Sequence, residues 1–202
     1  MDNLYYAAIQ FDKLYQKGLN ALQKENYNYS IELLNKALSL NPEDCNCRHK
    51  LHLAKIARFK KNPPNFLFMA KKLPRHVYQK IKINLYLLQQ KYTKARVLLE
   101  ANLDHIVSVN NLLQFAALFK IIGLVTHAMN TYKEVLIINP VNKTALIELI
   151  QFEYEQKNFS QTKLYIQSLL KAHPHNPYAL KILRNIDALK TIDNNTTWTS
   201  PN

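Results

Sequence analysis

Along residues 11–44 (FDKLYQKGLNALQKENYNYSIELLNKALSLNPED) apolar side chains recur every three or four positions in two blocks, separated by a polar break at Glu25-Asn26. That spacing predicts two amphipathic helices joined by a short turn. Pro42 closes the second block, because a proline disfavours helical geometry in the residue before it. Pro74, Pro140 and Pro174 are expected to close later periodic stretches in the same way, at successive separations of 32, 66 and 34 residues. The middle interval is about twice the others, so the chain carries a period of about 34 residues, the length of a two-helix repeat unit.

In the first unit the positions that matter for helix packing hold Leu14, Gly18, Ala21, Tyr27, Ser30, Leu34, Ala37 and Pro42. Small residues at Gly18, Ser30 and Ala37 let two helices approach closely, while Leu14, Leu34 and Leu38 fill the space between them. This unit resembles a tetratricopeptide repeat.

The pattern returns at 109–142 with Leu112, Phe115, Ala116, Phe119, Ala128, Tyr132 and Pro140, although Val135 replaces a small residue. It continues more loosely at 143–176 with Leu146, Leu149, Phe159, Ile166 and Pro174, where Ile150 and Thr162 stand at small-residue positions. Residues 76–108 keep Ile83, Tyr86, Tyr92, Ala95 and Leu99 in register without a closing proline.

The unit at 45–75 is the least regular, since its second helix is confined to NFLFMAKKL between Pro64 and Pro74. The register of its first helix is ambiguous. Turning Leu53, Ala54 and Ala57 inward makes better physical sense than burying His52 and Lys55. Residues 177–190 read as one more helix, with Leu180, Leu183 and Ile186 inward, capping the stack as an end repeat must. Residues 191–202, which include Trp198, have no period and are expected to form a flexible tail. The resemblance therefore implies an all-α, right-handed α-solenoid of about five helix pairs plus a C-terminal capping helix. It would form a single domain over 1–190, with repeats at 11–44, 45–75, 76–108, 109–142 and 143–176.

Composition narrows the function. Two glycines in 202 residues leave no glycine-rich phosphate cradle or dinucleotide fingerprint. With 48% apolar residues the chain can bury a core. The longest apolar stretch, Leu112 to Val125, is interrupted by Gln114 and Lys120 and falls short of the roughly 20 residues a spanning helix needs. The N-terminal stretch lacks the charged, apolar and small-residue regions of a secretory signal, and only two cysteines are present, so a reducing, cytoplasmic setting is expected.

The formal charge of +13 is local. Between Cys45 and Leu99 there are 14 Lys or Arg and no Asp or Glu, whereas the rest of the chain holds 13 basic and 14 acidic residues. Such one-signed runs are unfavourable at helical spacing unless something compensates them. In the preferred register Arg48, Lys55 and Arg58 fall on the helix surface that the resemblance places in a concave groove, joined by Lys80 in the next unit. Asn84 lies one turn beyond Lys80, and Tyr15, Leu19 and Leu22 add apolar contact from the first unit. A basic groove calls for an acidic partner.

A polypeptide segment is the partner that the resemblance implies, captured by a non-catalytic scaffold or by a small free-standing chaperone of bacterial secretion or assembly. Nucleic acid is the alternative, using the basic 48–96 section with its interleaved aromatics. An anionic membrane is a third option, suggested by FLFMAKKLPR.

Other constellations weigh less. Lys80 and Asn84 match the start of a carboxylate clamp seen in some relatives of this repeat, but Gln114, Thr144 and Glu148 do not complete it, and a glutamate would repel a carboxylate. Cys45, Cys47, His49 and His52 are ligand types that zinc takes, yet they crowd one helix start without the loop that normally separates ligand pairs. Arg48 next to this vicinal pair would favour a thiolate. No base, nucleophile and orienting group can be assembled, so no enzyme, cofactor or metal is expected.

Overall fold

The computed structural model describes the backbone of residues 2–63, 66–105 and 107–196 and the side chains of 5–63, 77–103 and 107–189. Among the described residues the chain is all α, without strands. The helices are α1 (Asp2–Gln23), α2 (Tyr27–Leu40), α3 (Cys45–Lys61), α4 (Phe66–Leu88), α5 (Tyr92–His105), α6 (Val109–Ile121), α7 (Val125–Ile138), α8 (Lys143–Glu155), α9 (Phe159–Ala172) and α10 (Pro177–Thr196). They divide into two compact units, Met1–Glu134 and Val135–Asn202.

The helical hairpins are built as their small residues require. In α1/α2 a Cβ added at Gly18 would lie 2.8 Å from Leu34 Cδ2, so no larger side chain fits without displacing Leu34. The Ser30 hydroxyl donates to the Gly18 carbonyl at 2.9 Å, which satisfies a buried hydroxyl at the same close approach. Leu34 and Ala37 are fully buried, and with Ile31, Leu38, Cys47, Leu51 and Ala54 they form the core that joins α2 to α3.

The turn inside each hairpin is a tight helix cap. Asn26 N–H donates to the Ala21 carbonyl and Glu25 N–H to that of Leu22, with Glu25 in the left-handed region at φ 56°. This is the Schellman arrangement that closes a helix. The same paired bonds end α4 at Gln90, α6 at Gly123 and α8 at Lys157, each with positive φ. Helix starts are fixed by side-chain caps: Asn26, Asp44, Ser108, Asn142 and Asn158 each accept from a backbone N–H three residues on.

In the second unit Leu146, Ile150, Ile166, Leu169, Ala179, Ile182 and Ile186 form the core beneath α8, α9 and α10. Ile150 and Thr162 are fully buried despite their size, and Thr162 turns its hydroxyl back to the Asn158 carbonyl at 2.8 Å.

Three expectations are corrected. The first concerns 45–75. Pro74 does not end a helix; it lies inside α4, which runs without a break from Phe66 to Leu88 across the expected boundary at 75/76. The region 45–88 therefore holds two long helices, and α3 continues through Arg58, near where the repeat period would place a left-handed turn.

The second concerns the register of α3. His52 and Lys55 are buried while Leu53 and Ala57 are only half-buried. The reason is that α3 is covered on more than one side: Leu51 and Ala54 face α2, while His52 meets the Phe115 ring edge-on with centroids 5.3 Å apart.

The third concerns the C-terminus, where α10 extends to Thr196, so 191–196 are helical. Trp198 lies outside the described residues.

Candidate functional site

Helices α2, α3 and α5 enclose a cleft of about 280 Å³ lined by Asn35, Leu38, Ser39, Arg48, Lys55, Arg96 and Glu100, among others. Arg48 and Lys55 are thus brought together, as their spacing of two turns on α3 requires. They are not a free basic surface. Arg48 is buried, its guanidinium bonded to the Glu100 carboxylate and the Pro42 carbonyl and held 5.8 Å from the Phe119 ring centroid. Arg96 pairs with Glu43 at 2.8 Å and holds that carboxyl below its usual range. Arg48 was expected to face a partner directly. Burial of a guanidinium demands a carboxylate, and Glu100 supplies one from just beyond the acid-free segment.

The remaining sequence-derived residues do not join this cleft. Arg58 is half-buried in the last turn of α3, while Lys80 and Asn84 are exposed on α4. Tyr15 and Leu22 pack against the α2/α3 core, and Leu19 is half-buried beside them on α1. Their apolar contact is therefore largely internal.

On α4 the structure reveals a surface that residue types alone did not single out. Ile83 is fully buried, whereas Val77 (53%), Ile81 (62%), Leu85 (49%) and Leu88 (83%) are exposed on the other side. By helical spacing Asn84 borders that row and Lys80 flanks it, about 60° from Val77. The neighbouring Lys82 ammonium sits 5.8 Å from the ring centroids of both Tyr78 and Tyr86. The signal is present as i, i+4, i+8, i+11 spacing of aliphatic residues, but Ile83 and Tyr86 at core spacing on the same helix mask it.

Behind the cleft lies a buried polar cluster that the sequence did not predict. His49 Nδ1 and His52 Nδ1 each lie 2.7 Å from one oxygen of Glu134. Burial pushes the Glu134 carboxyl up to about 7, opposed by its bond to His49. His127 is pushed down, first by burial and then by the Arg48 charge.

Cys45 accepts from Asn130 Nδ2 at 3.3 Å, and Cys47 points at the Leu34 carbonyl on α2, so the two thiols diverge. Burial raises both, Cys47 to about 12, which overrides Arg48 and corrects the expectation of a thiolate. Among the described residues no group of three or more His, Cys, Asp and Glu is arranged to hold a metal ion. No described helix is long and apolar enough to cross a membrane.

Close packing at Gly18, Ser30 and Ala37 and the run of helical hairpins make this an all-α protein of packed helix pairs. No protein-family model matches the chain, and no curated protein matches it. Among solved structures it is similar to the PilF protein of Pseudomonas aeruginosa, at 13% identity over 95% of this chain and 90% of that one, with a TM-score of 0.47. It is also similar to a tetratricopeptide repeat protein of Parabacteroides merdae, at 17% identity over 89% of this chain and 60% of that one, TM-score 0.46. The tetratricopeptide domain of P58(IPK) is 12% identical over 91% of this chain and 56% of that one, TM-score 0.47. The last two chains are considerably longer than this one.

Proposed function

We propose that the protein is a non-catalytic scaffold that captures an acidic segment of another polypeptide. The observation that carries this reading is the 55-residue stretch from Cys45 to Leu99 with 14 basic residues and no acidic one. Part of that charge is answered internally, by Glu100 at Arg48, by Glu43 at Arg96 and by Glu25 at Lys61. Lys80, Lys91 and Lys94 remain exposed on α4, on α5 and in the turn between them, where their field acts on solvent and on whatever approaches. Arg48 and Lys55 are held within the α2/α3/α5 cleft, and the outer lysines are the groups that meet the incoming chain.

A chaperone of secretion or assembly is one form that such a scaffold takes, and a reducing cytoplasm suits two unpaired cysteines. Nucleic acid would use the same charge through phosphate contacts. Titrating a labelled glutamate-rich peptide and a labelled 20-nucleotide DNA strand at low and high salt separates the two. Saturable peptide binding with weaker DNA binding supports the scaffold, and DNA binding without peptide binding refutes it.

A further inference from the structure

We infer that the exposed face of α4 is the seat for an amphipathic helix of the partner protein, apolar along one stripe and acidic beside it. The inference rests on the reading that the partner is an acidic polypeptide, and it names the form and place of that contact.

Val77, Ile81, Leu85 and Leu88 fall within about 80° of arc on an α-helix, three turns long and about 17 Å from end to end. All four are exposed, which is uncommon for aliphatic side chains aligned in one row, while the opposite side of the helix buries Ile83. Asn84 stands at the edge of this row, about 20° from Val77, and Lys80 flanks it one turn away, about 60° from Val77; both are exposed. A ridge of this kind takes a second helix laid alongside it, with aliphatic side chains interleaved and a carboxylate opposite Lys80.

The surrounding charge selects the occupant. A second copy of this chain would bring another acid-free basic segment against the exposed Lys80, Lys91 and Lys94, and like charges across an interface are strongly unfavourable. A lipid surface would press Asn84, about 20° from Val77 around the helix, into the headgroup boundary together with the aliphatic row, whereas interfacial helices keep polar groups on the opposite face. Nucleic acid could stack on the exposed Tyr78 ring that borders the row, but it gains nothing from the four aliphatic side chains that make up the row. An acidic amphipathic helix satisfies both parts of the surface.

The test uses the full chain and two labelled 18-residue peptides of identical Leu and Glu composition. In one the leucines follow a three-or-four spacing; in the other they are scattered around the helix. The expected result is that wild-type protein binds the ordered peptide at least tenfold more tightly than the scattered one, and that I81S/L85S brings the two within about twofold. I81M/L85M should retain the preference. Both substitutions are at exposed positions, and unchanged thermal unfolding of each variant verifies that the fold is kept.

Equal binding of the two peptides, or a preference that survives I81S/L85S, overturns the inference and leaves the acidic-partner reading standing. Binding of neither peptide removes that reading and the inference with it. Co-sedimentation with phosphatidylcholine/phosphatidylserine vesicles that I81S/L85S abolishes would reassign the stripe to a membrane, and a dimer that I81S/L85S dissociates would reassign it to self-association.

Discussion

His52 Nδ1 and Glu134 Oε2 lie 2.7 Å apart although 82 positions separate them in the chain. Glu134 offers its other oxygen to His49 at the same distance, so one buried carboxylate ties the first two turns of α3 to α7. The surroundings are the Phe115 ring from α6, Arg48 and Cys45 from α3, and His127, Asn130 and Thr131 from α7.

This cluster predicts a specific pH dependence of stability. Burial raises the Glu134 carboxyl from 4.5 to about 7, so the folded state holds that proton where the unfolded chain has released it. Its stabilising contribution is complete below pH 4.5 and disappears as pH rises to about 7. His127 acts in the opposite sense: its folded value lies below 6.5, so its contribution is present above pH 6.5 and is lost as pH falls. Thermal unfolding between pH 4 and 8 should show E134Q removing the decline across the upper range and H127N removing the loss on the acid side. A wild-type slope that survives in E134Q would contradict this assignment.

The Arg48–Glu100 pair should be costly to break from one side. The Arg48 side chain is 6% exposed, and removing Glu100 leaves its guanidinium without the compensating charge. E100Q is expected to destabilise by roughly 2–4 kcal/mol, and R48M/E100L to recover most of that, since an apolar pair can replace a buried ionic one. K36A, which breaks an exposed pair with Glu32, should cost no more than about 0.5 kcal/mol. Urea unfolding of the four proteins measures all of these differences. The same reasoning makes charge reversal at Arg48 a poor probe of binding, because it would act on folding first.

Hairpin geometry predicts effects of opposite sign at two glycine-related positions. G18A places a methyl 2.8 Å from Leu34 Cδ2 in a fully packed contact and should cost about 1–3 kcal/mol. K157G relieves a left-handed backbone at φ 58° and should stabilise by about 1 kcal/mol. Melting temperatures should therefore move down for the first and up for the second, and a stabilising G18A would refute the close-packing explanation.

The hairpin architecture was legible because three of its signals are local. Pro42, Pro140 and Pro174 each follow the end of a helix, Asn and Ser cap the helix starts, and the small residues of 11–44 lie where two helices touch. The stretch 45–75 was not legible, because Pro74 has the same spacing as those terminators while α4 runs through it. The turns carry the period more faithfully, at Glu25, Gln90, Gly123 and Lys157, but three of those four are not glycine, so their left-handed backbone leaves no mark in the residue types. The candidate site was half legible. The basic stretch is visible in the sequence, whereas the partners that neutralise it come from 52 and 53 positions away, Glu100 to Arg48 and Glu43 to Arg96. No local pattern reveals a pairing at that distance, and burial of Arg48, His52 and Lys55 follows from helices that pack over α3 much later in the chain.

We propose that exposed positive charge on α4, α5 and their turn captures an acidic polypeptide. The direct measurement is the affinity of one labelled acidic amphipathic peptide for wild-type protein and for K80E/K91E/K94E, side by side at low salt, with circular dichroism verifying the fold of both. All three lysines are exposed. Binding at least tenfold weaker in the reversed protein is the predicted result, and equal binding by the two proteins would contradict it.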